Sequence, residues 1–213
     1  MEGEVSKSHH HSSILAIAGP DFCIVAADTR QSSGYLINCR TAPKAYKLTN
    51  SAVLATSGFH ADGAEFYRVL ATKIKMYRYK HERDMDIALI AQASAIQLYS
   101  RRFFPYYTFN VLGGIDAEGR GAVYSYDPVG SFEREPFRAG GSAAALIQPF
   151  LDNQLGKDSS GNQRILTQEK AIAVARDAFD AATERDIYTG DNLDVWVINA
   201  HGASMERFPL KRD

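Results

Sequence analysis

Apolar and polar positions change their period several times along this chain, and those changes divide it into blocks. Residues 13–19 and 22–28 carry two apolar runs, SILAIAG and FCIVAAD, on either side of Gly19-Pro20-Asp21. Apolar runs of this length around a Gly-Pro-Asp turn predict paired strands. Gly34-Tyr35-Leu36-Ile37 and Ala45-Tyr46-Lys47-Leu48 read as two short strands, and Ala52 to Ser57 as a buried strand stopped by Gly58.

The period then lengthens. Phe66, Val69, Leu70, Ile74 and Tyr77 mark one helical face between about residues 60 and 80. Asp86 is placed to cap a second helix that carries Ile87, Ile90, Ala91, Ser94, Ala95 and Leu98. Pro105 stops that helix. It lies in the block YSRRFFPYY at 99–107, whose aromatics either cover a sheet edge or meet a neighbour.

Strand patterning resumes at 108–116 and 121–127 across Asp116-Ala117-Glu118-Gly119-Arg120, a hairpin signal. Asp127-Pro128-Val129-Gly130 turns into an expected strand at 131–138, and Gly140-Gly141-Ser142 leads into an alanine-rich helix interrupted by Pro149. A polar loop follows at 156–164. Thr167 caps a helix with the stripe Ile172, Ala175, Phe179 and Ala182, and strands close the chain at 193–199 and 204–209. Strand blocks separated by helix pairs do not alternate as a parallel βαβ fold would. The expected fold is α+β, a four-layer αββα sandwich in which helix pairs cover the outer faces of two stacked sheets.

Composition narrows the function. A length of 213 residues suits one domain, expected over residues 12–213 after a flexible polar extension at 1–11. The formal net charge of −1 gives no electrostatic support for nucleic-acid binding. No apolar run approaches the roughly 20 residues that span a bilayer, so no membrane partner is expected, and the first residues lack the apolar core of a secretory signal. His9-His10-His11 sit on the polar extension and are not expected to form a metal site; no cofactor is expected either. Cys23 and Cys39 read as free buried thiols in a reducing compartment.

The candidate chemistry lies near the start of the first strand. Asp28 ends the second apolar run and Lys44 lies close to a later strand, so both charges can approach the first residue of the first strand. That arrangement suits an enzyme whose nucleophile is the N-terminal residue of the chain. Ile24-Val25-Ala26-Ala27-Asp28-Thr29-Arg30, then Lys44, then Ser57-Gly58, then Glu184 to Asp191 (ERDIYTGD) resemble, in that order, a β-type subunit of the 20S proteasome. The resemblance runs from about Ser12 to the C-terminus and places the chain among the N-terminal nucleophile hydrolases.

The resemblance implies a threonine nucleophile, exposed in active members by cleavage after a glycine, and an oxyanion donor at the Ser57-Gly58 loop. Counting back from Leu15-Ala16 puts Ser12 at the nucleophile's place, preceded by His11. The threonine and the glycine-threonine junction are both missing. Uncut, Ser12 keeps its nitrogen in an amide, which cannot act as a base. Ser12, Asp28, Lys44 and Asp186 are therefore expected to form a vestigial cluster, with the lysine between two aspartates in a structural ion-pair network. The competing readings are an active amide hydrolase that uses Ser12 after a cut at His11–Ser12, and a free-standing binding module.

Longer blocks at 99–107, Tyr126 to Ser131 and Ala139 to Ala143 resemble the non-catalytic member at the sixth β position. That resemblance implies α and β subunit partners in a particle with two heptameric β rings between two α rings. It also implies unfolded polypeptide substrates, ATP- and ubiquitin-dependent degradation, and a place in cytoplasm and nucleus. It further implies that Tyr126, Asp127 and Pro128 border the chymotrypsin-like pocket of a neighbouring subunit, with Asp127 as hydrogen-bond acceptor. The alternative is that Asp127 only caps its own turn.

Overall fold

The computed structural model describes residues 10–157 and 166–213. The first apolar runs form β2 (Ser13–Ala18) and β3 (Phe22–Asp28), which pair antiparallel around the Gly-Pro-Asp turn. The small strand β1 (His10–His11), formed by the last residues of the expected extension, pairs with β4 (Gln31–Ser33), and β4 pairs with β5 (Leu36–Cys39). The strand expected at 34–37 is thus shifted: Gly34 takes φ +59° and turns the chain with Tyr35, so pairing begins on each side of them.

One five-stranded sheet has the order β10 (Phe132–Glu135), β9 (Gly121–Tyr126), β8 (Thr108–Ile115), β7 (Ala52–Gly58), β6 (Ala45–Lys47). The other has the order β11 (Phe137–Gly141), β2, β3, β12 (Asn192–Asn199), β13 (Gly202–Pro209). The single strand expected at 131–138 is therefore two. Pro136, which has no N–H to give a ladder, separates β10 in one sheet from β11 in the other, and its carbonyl accepts from Ala18 N–H at 2.8 Å.

The helices are α1 (His60–His81), α2 (Ile87–Tyr99), α3 (Ala144–Leu155) and α4 (Gln168–Thr183). Asp86 caps α2 by accepting from Leu89 N–H, and Thr167 caps α4 by accepting from Lys170 N–H. Pro149 does not interrupt α3 as expected; it lies inside the helix. The lost N–H forfeits one intrahelical bond, while Ile147, Leu151 and Leu155 stay on the buried face. The polar loop expected at 156–164 falls almost wholly outside the described residues.

Three apolar clusters show the layering. Phe66, Leu70 and Ile74 of α1 and Ile87, Ile90 and Leu98 of α2 pack on Leu54 and Leu112 of the first sheet. Ile147 and Leu151 of α3 and Ala175 and Phe179 of α4 pack on Leu15, Ile17 and Ile24 of the second. Between the sheets lie Ile14, Ala16, Cys23, Val25, Val53, Val111 and Val123. Alternate side chains of β2 and β3 thus face opposite layers, both apolar, which is why their sequence reads as a continuous apolar run. The architecture is the expected α+β sandwich of four layers.

Candidate active site

The first sheet strand begins where several chain segments converge. Asp28 is the last residue of β3 and Lys44 immediately precedes β6. Both side chains are buried, and Lys44 Nζ lies 2.6 Å from Asp28 Oδ1. The same carboxylate accepts from the backbone N–H groups of Ser13 (2.9 Å), Arg30 (3.2 Å) and Gly190 (3.3 Å). Burial pushes the Asp28 carboxyl up and the Lys44 ammonium down from their ordinary values; their mutual attraction opposes both shifts.

The expectation of a lysine bonded between two aspartates needs correction. Asp186 bonds to hydroxyls instead: Oδ2 accepts from Ser142 Oγ at 2.7 Å and from Thr189 Oγ1 at 2.6 Å, and Oδ1 from Tyr188 N–H. Its field reaches Lys44 through space only. Since Thr189 gives its proton to Asp186, Ser13 Oγ donates to Thr189 Oγ1 at 2.7 Å, and Ser13 Oγ accepts from Ala143 N–H at 3.1 Å. A second ion pair holds the neighbouring loop: Arg30 Nε meets Asp191 Oδ2 at 2.9 Å, and Arg40 meets Asp191 Oδ1.

Ser12 stands at the mouth of this arrangement and is buried. Its carbonyl accepts from Ser142 N–H at 3.0 Å. Gly141 makes that approach possible, because a Cβ there would lie 1.7 Å from the Ser12 carbonyl oxygen, and its φ is +90°. Gly58 has φ +97° and lies against the Tyr107 carbonyl, 2.5 Å from where a Cβ would stand. The Ser57-Gly58 loop so borders Ser12 as its motif implied, and Ser57 Oγ donates to the Phe109 carbonyl.

Space beside Ser12 is unequal. On the Lys44 side, a void bounded by Gln31, Lys44, Thr56, Gly58 and His60 measures only about 10 Å³, which holds at most one water. On the other side a cleft of about 810 Å³ opens between the edges of the two sheets, with Phe109, Asn110, Phe132, Arg138 and Gly140 among its walls. Tyr126 and Asp127 line this cleft. Tyr126 is itself a core residue, with its hydroxyl bonded to the Ala91 carbonyl at 3.0 Å, so it offers the cleft an edge rather than a free side chain. Asp127 Oδ1 accepts from Val129 and Ser131 N–H, capping its own turn. Among the described residues no donor reaches its Oδ2. Pro128 is half-buried in that turn.

Ser13, Ser142, Thr189, Arg30 and Asp191 were not among the expected site residues, although all but Ser13 lie in motifs that carried the resemblance. Asp191 alone carried a local signal that only geometry reveals: φ +72° in a residue other than glycine. Hydroxyl residues such as Ser142 and Thr189 have no distinctive spacing, because their meeting depends on segments more than 40 residues apart.

Two stacked antiparallel sheets between helix pairs, with the first strand's leading residue set beside a buried Lys–Asp pair, define an N-terminal nucleophile hydrolase sandwich. The family model "Proteasome subunit" matches residues 9–198, and the chain belongs to that family. It is 50% identical over 202 residues to a zebrafish (Danio rerio) protein named proteasome subunit beta type-1, covering 94% of this chain and 85% of the relative. An Arabidopsis thaliana protein of the same name is 45% identical over 205 residues, covering 93% and 92%. The Saccharomyces cerevisiae proteasome subunit beta type-6 is 42% identical over 212 residues, covering 94% and 88%. The chain is a proteasome β-type subunit, and membership of that family implies assembly with other proteasome subunits.

Proposed function

We propose that this chain is a non-catalytic structural subunit of the 20S core particle at the sixth β position. It builds a heptameric β ring, two of which stack between α rings, and serves ATP- and ubiquitin-dependent degradation of unfolded polypeptides in cytoplasm and nucleus. The observation that carries this reading is Ser12. It replaces the threonine beside Asp28 and Lys44, and its nitrogen is an amide joined to His11, whose strand β1 is paired with β4. An amide nitrogen cannot take the proton of the attacking hydroxyl. The void on the Lys44 side is also too small for a peptide side chain.

Asp28, Lys44 and Asp186 then hold strand ends and the 186–191 loop in register. Tyr126, Asp127 and Pro128 border the chymotrypsin-like pocket of the adjacent subunit, and Asp127 Oδ2 accepts a hydrogen bond from the substrate there. The place of Asp127 on the cleft wall, with no described donor at Oδ2, supports this role.

The test is the intact mass of this subunit in purified particles, with and without a threonine-directed epoxyketone. A chain that begins before Ser12 and gains no probe mass is expected. A chain that begins at Ser12 and carries the probe would establish Ser12 as a working nucleophile and overturn the proposal.

A further inference from the structure

The segment 210–213 crosses the loop that carries Asp186 and Thr189. Leu210 is buried in the core that the second sheet shares with α3 and α4, which anchors the crossing. Leu210 N–H donates to the Asp191 carbonyl at 3.1 Å, and Asp191 N–H donates to the Lys211 carbonyl at 2.9 Å. The same Lys211 carbonyl accepts from Arg30 Nη2 at 3.2 Å. Buried Arg30 also donates from Nη1 to the Ile187 carbonyl at 3.0 Å and from Nε to Asp191. One guanidinium therefore ties both ends of the loop to the crossing segment.

Apolar packing contributes little to holding this loop. Ile187 is 58% exposed, and beside it lies a cavity of about 380 Å³ with Arg30, Thr183, Arg185 and Asp213 among its walls. Segments with few buried apolar contacts open locally at low cost. Gly190 shows how closely the parts meet. A Cβ there would stand 2.5 Å from Arg30 Nη2 and 2.9 Å from the Lys211 carbonyl oxygen. Gly190 N–H donates to Asp28 Oδ2 at 3.3 Å, so the seated loop supplies one of the bonds on the buried carboxylate beside Lys44.

We propose that residues 210–213 form a clasp that keeps the 186–191 loop seated on Asp28, and that the loop opens when the clasp is released. The clasp is the bridge of main-chain bonds between Leu210, Lys211 and Asp191, shared with Arg30. The ammonium group of Lys211, which reaches Glu184 and Asp213 at the surface, is secondary, because exposed ion pairs contribute little. The loop is then a conformational unit of its own, able to leave Asp28 while both sheets stay folded.

Hydrogen exchange read by mass spectrometry on the purified full chain tests this. Shortening the chain after Leu210 removes the shared carbonyl, and Gly190→Ala wedges a methyl group against it. Each change is expected to speed exchange of the amides at 186–192 by about tenfold or more. Amides of β8 and β9, in the other sheet, should exchange as in the parent. Gly190→Ala leaves every residue of the segment in place, so it decides the matter if the shortened chain does not fold. Lys211→Ala keeps the carbonyl and should leave exchange of the loop within about twofold of the parent. Unchanged loop exchange in Gly190→Ala, a rise spread evenly over both sheets, or an effect of Lys211→Ala as large as that of Gly190→Ala would each overturn the proposal.

Discussion

Lys44 Nζ sits 2.6 Å from Asp28 Oδ1, and neither side chain is more than 3% exposed. Such a pair is costly to break from one side only, because the remaining charge is left buried. Lys44→Ala is expected to lower stability by about 3–5 kcal/mol. The volume-matched double change Lys44→Met/Asp28→Asn should cost less than the single one. Chemical denaturation of both variants checks this, and a double-variant loss larger than the single one would show that the two charges do not depend on each other.

The observed turn cap and the proposed pocket role of Asp127 are separable by substitution. Asp127→Ala removes the acceptor for Val129 and Ser131 N–H and should cost about 1 kcal/mol through the loosened turn. Asp127→Asn keeps an oxygen for those bonds while removing the charge. It should leave stability near the parent yet shift the peptide selectivity of the chymotrypsin-like activity in assembled particles. Fluorogenic peptides that differ in residues flanking the cut site read this out. Unchanged selectivity in both variants would leave Asp127 with the turn alone.

Acid should weaken the hairpin that joins β8 and β9. Burial raises the Asp116 carboxyl, but hydrogen bonds from Arg134 and from the backbone and side chain of Arg120 outweigh it and hold the group below the ordinary carboxylate range. A carboxyl depressed in the folded state contributes stability above its unfolded value near 3.9 and loses it as pH falls toward the folded value. Asp116→Asn should therefore be less stable than the parent at pH 7, by about 1 kcal/mol. The gap should narrow as pH falls below 4. Urea midpoints measured across that range test the sign.

The two thiols should react unequally. Cys23 lies between the sheets, and burial pushes its thiol up to about 12, so almost no thiolate forms at neutral pH. Cys39 is only half-buried, which departs from the expectation of two buried thiols. One equivalent of iodoacetamide is expected on the native chain at pH 7.5, at Cys39, and two after unfolding. Labelling of Cys23 in the native chain would mean that the sheets separate readily.

Much of this molecule was legible along the chain. The apolar runs at 13–18 and 22–28, the helical stripe of Phe66, Leu70 and Ile74, and the caps Asp86 and Thr167 each encode a local element with its own period or hydrogen-bonding residue. Asp28, Lys44 and Ser57-Gly58 were legible because their order carried the resemblance. Less visible was the split at Pro136. The residues on its two sides read as one strand, and only competition between two sheet edges assigns β10 and β11 to different partners.

What the sequence by itself determined is most of the elements, the four-layer arrangement and the serine at position 12 ahead of the first long strand, since each follows from residue identity, period or order. The tertiary structure alone decided that Asp186 bonds to Ser142 and Thr189 rather than to Lys44, that Asp191 bridges Arg30 and Arg40, and that Phe103 points into solvent. Those outcomes depend on which distant segments meet. A hydroxyl, a carboxylate or a ring carries no mark in the sequence of the partner, or the water, that it will face.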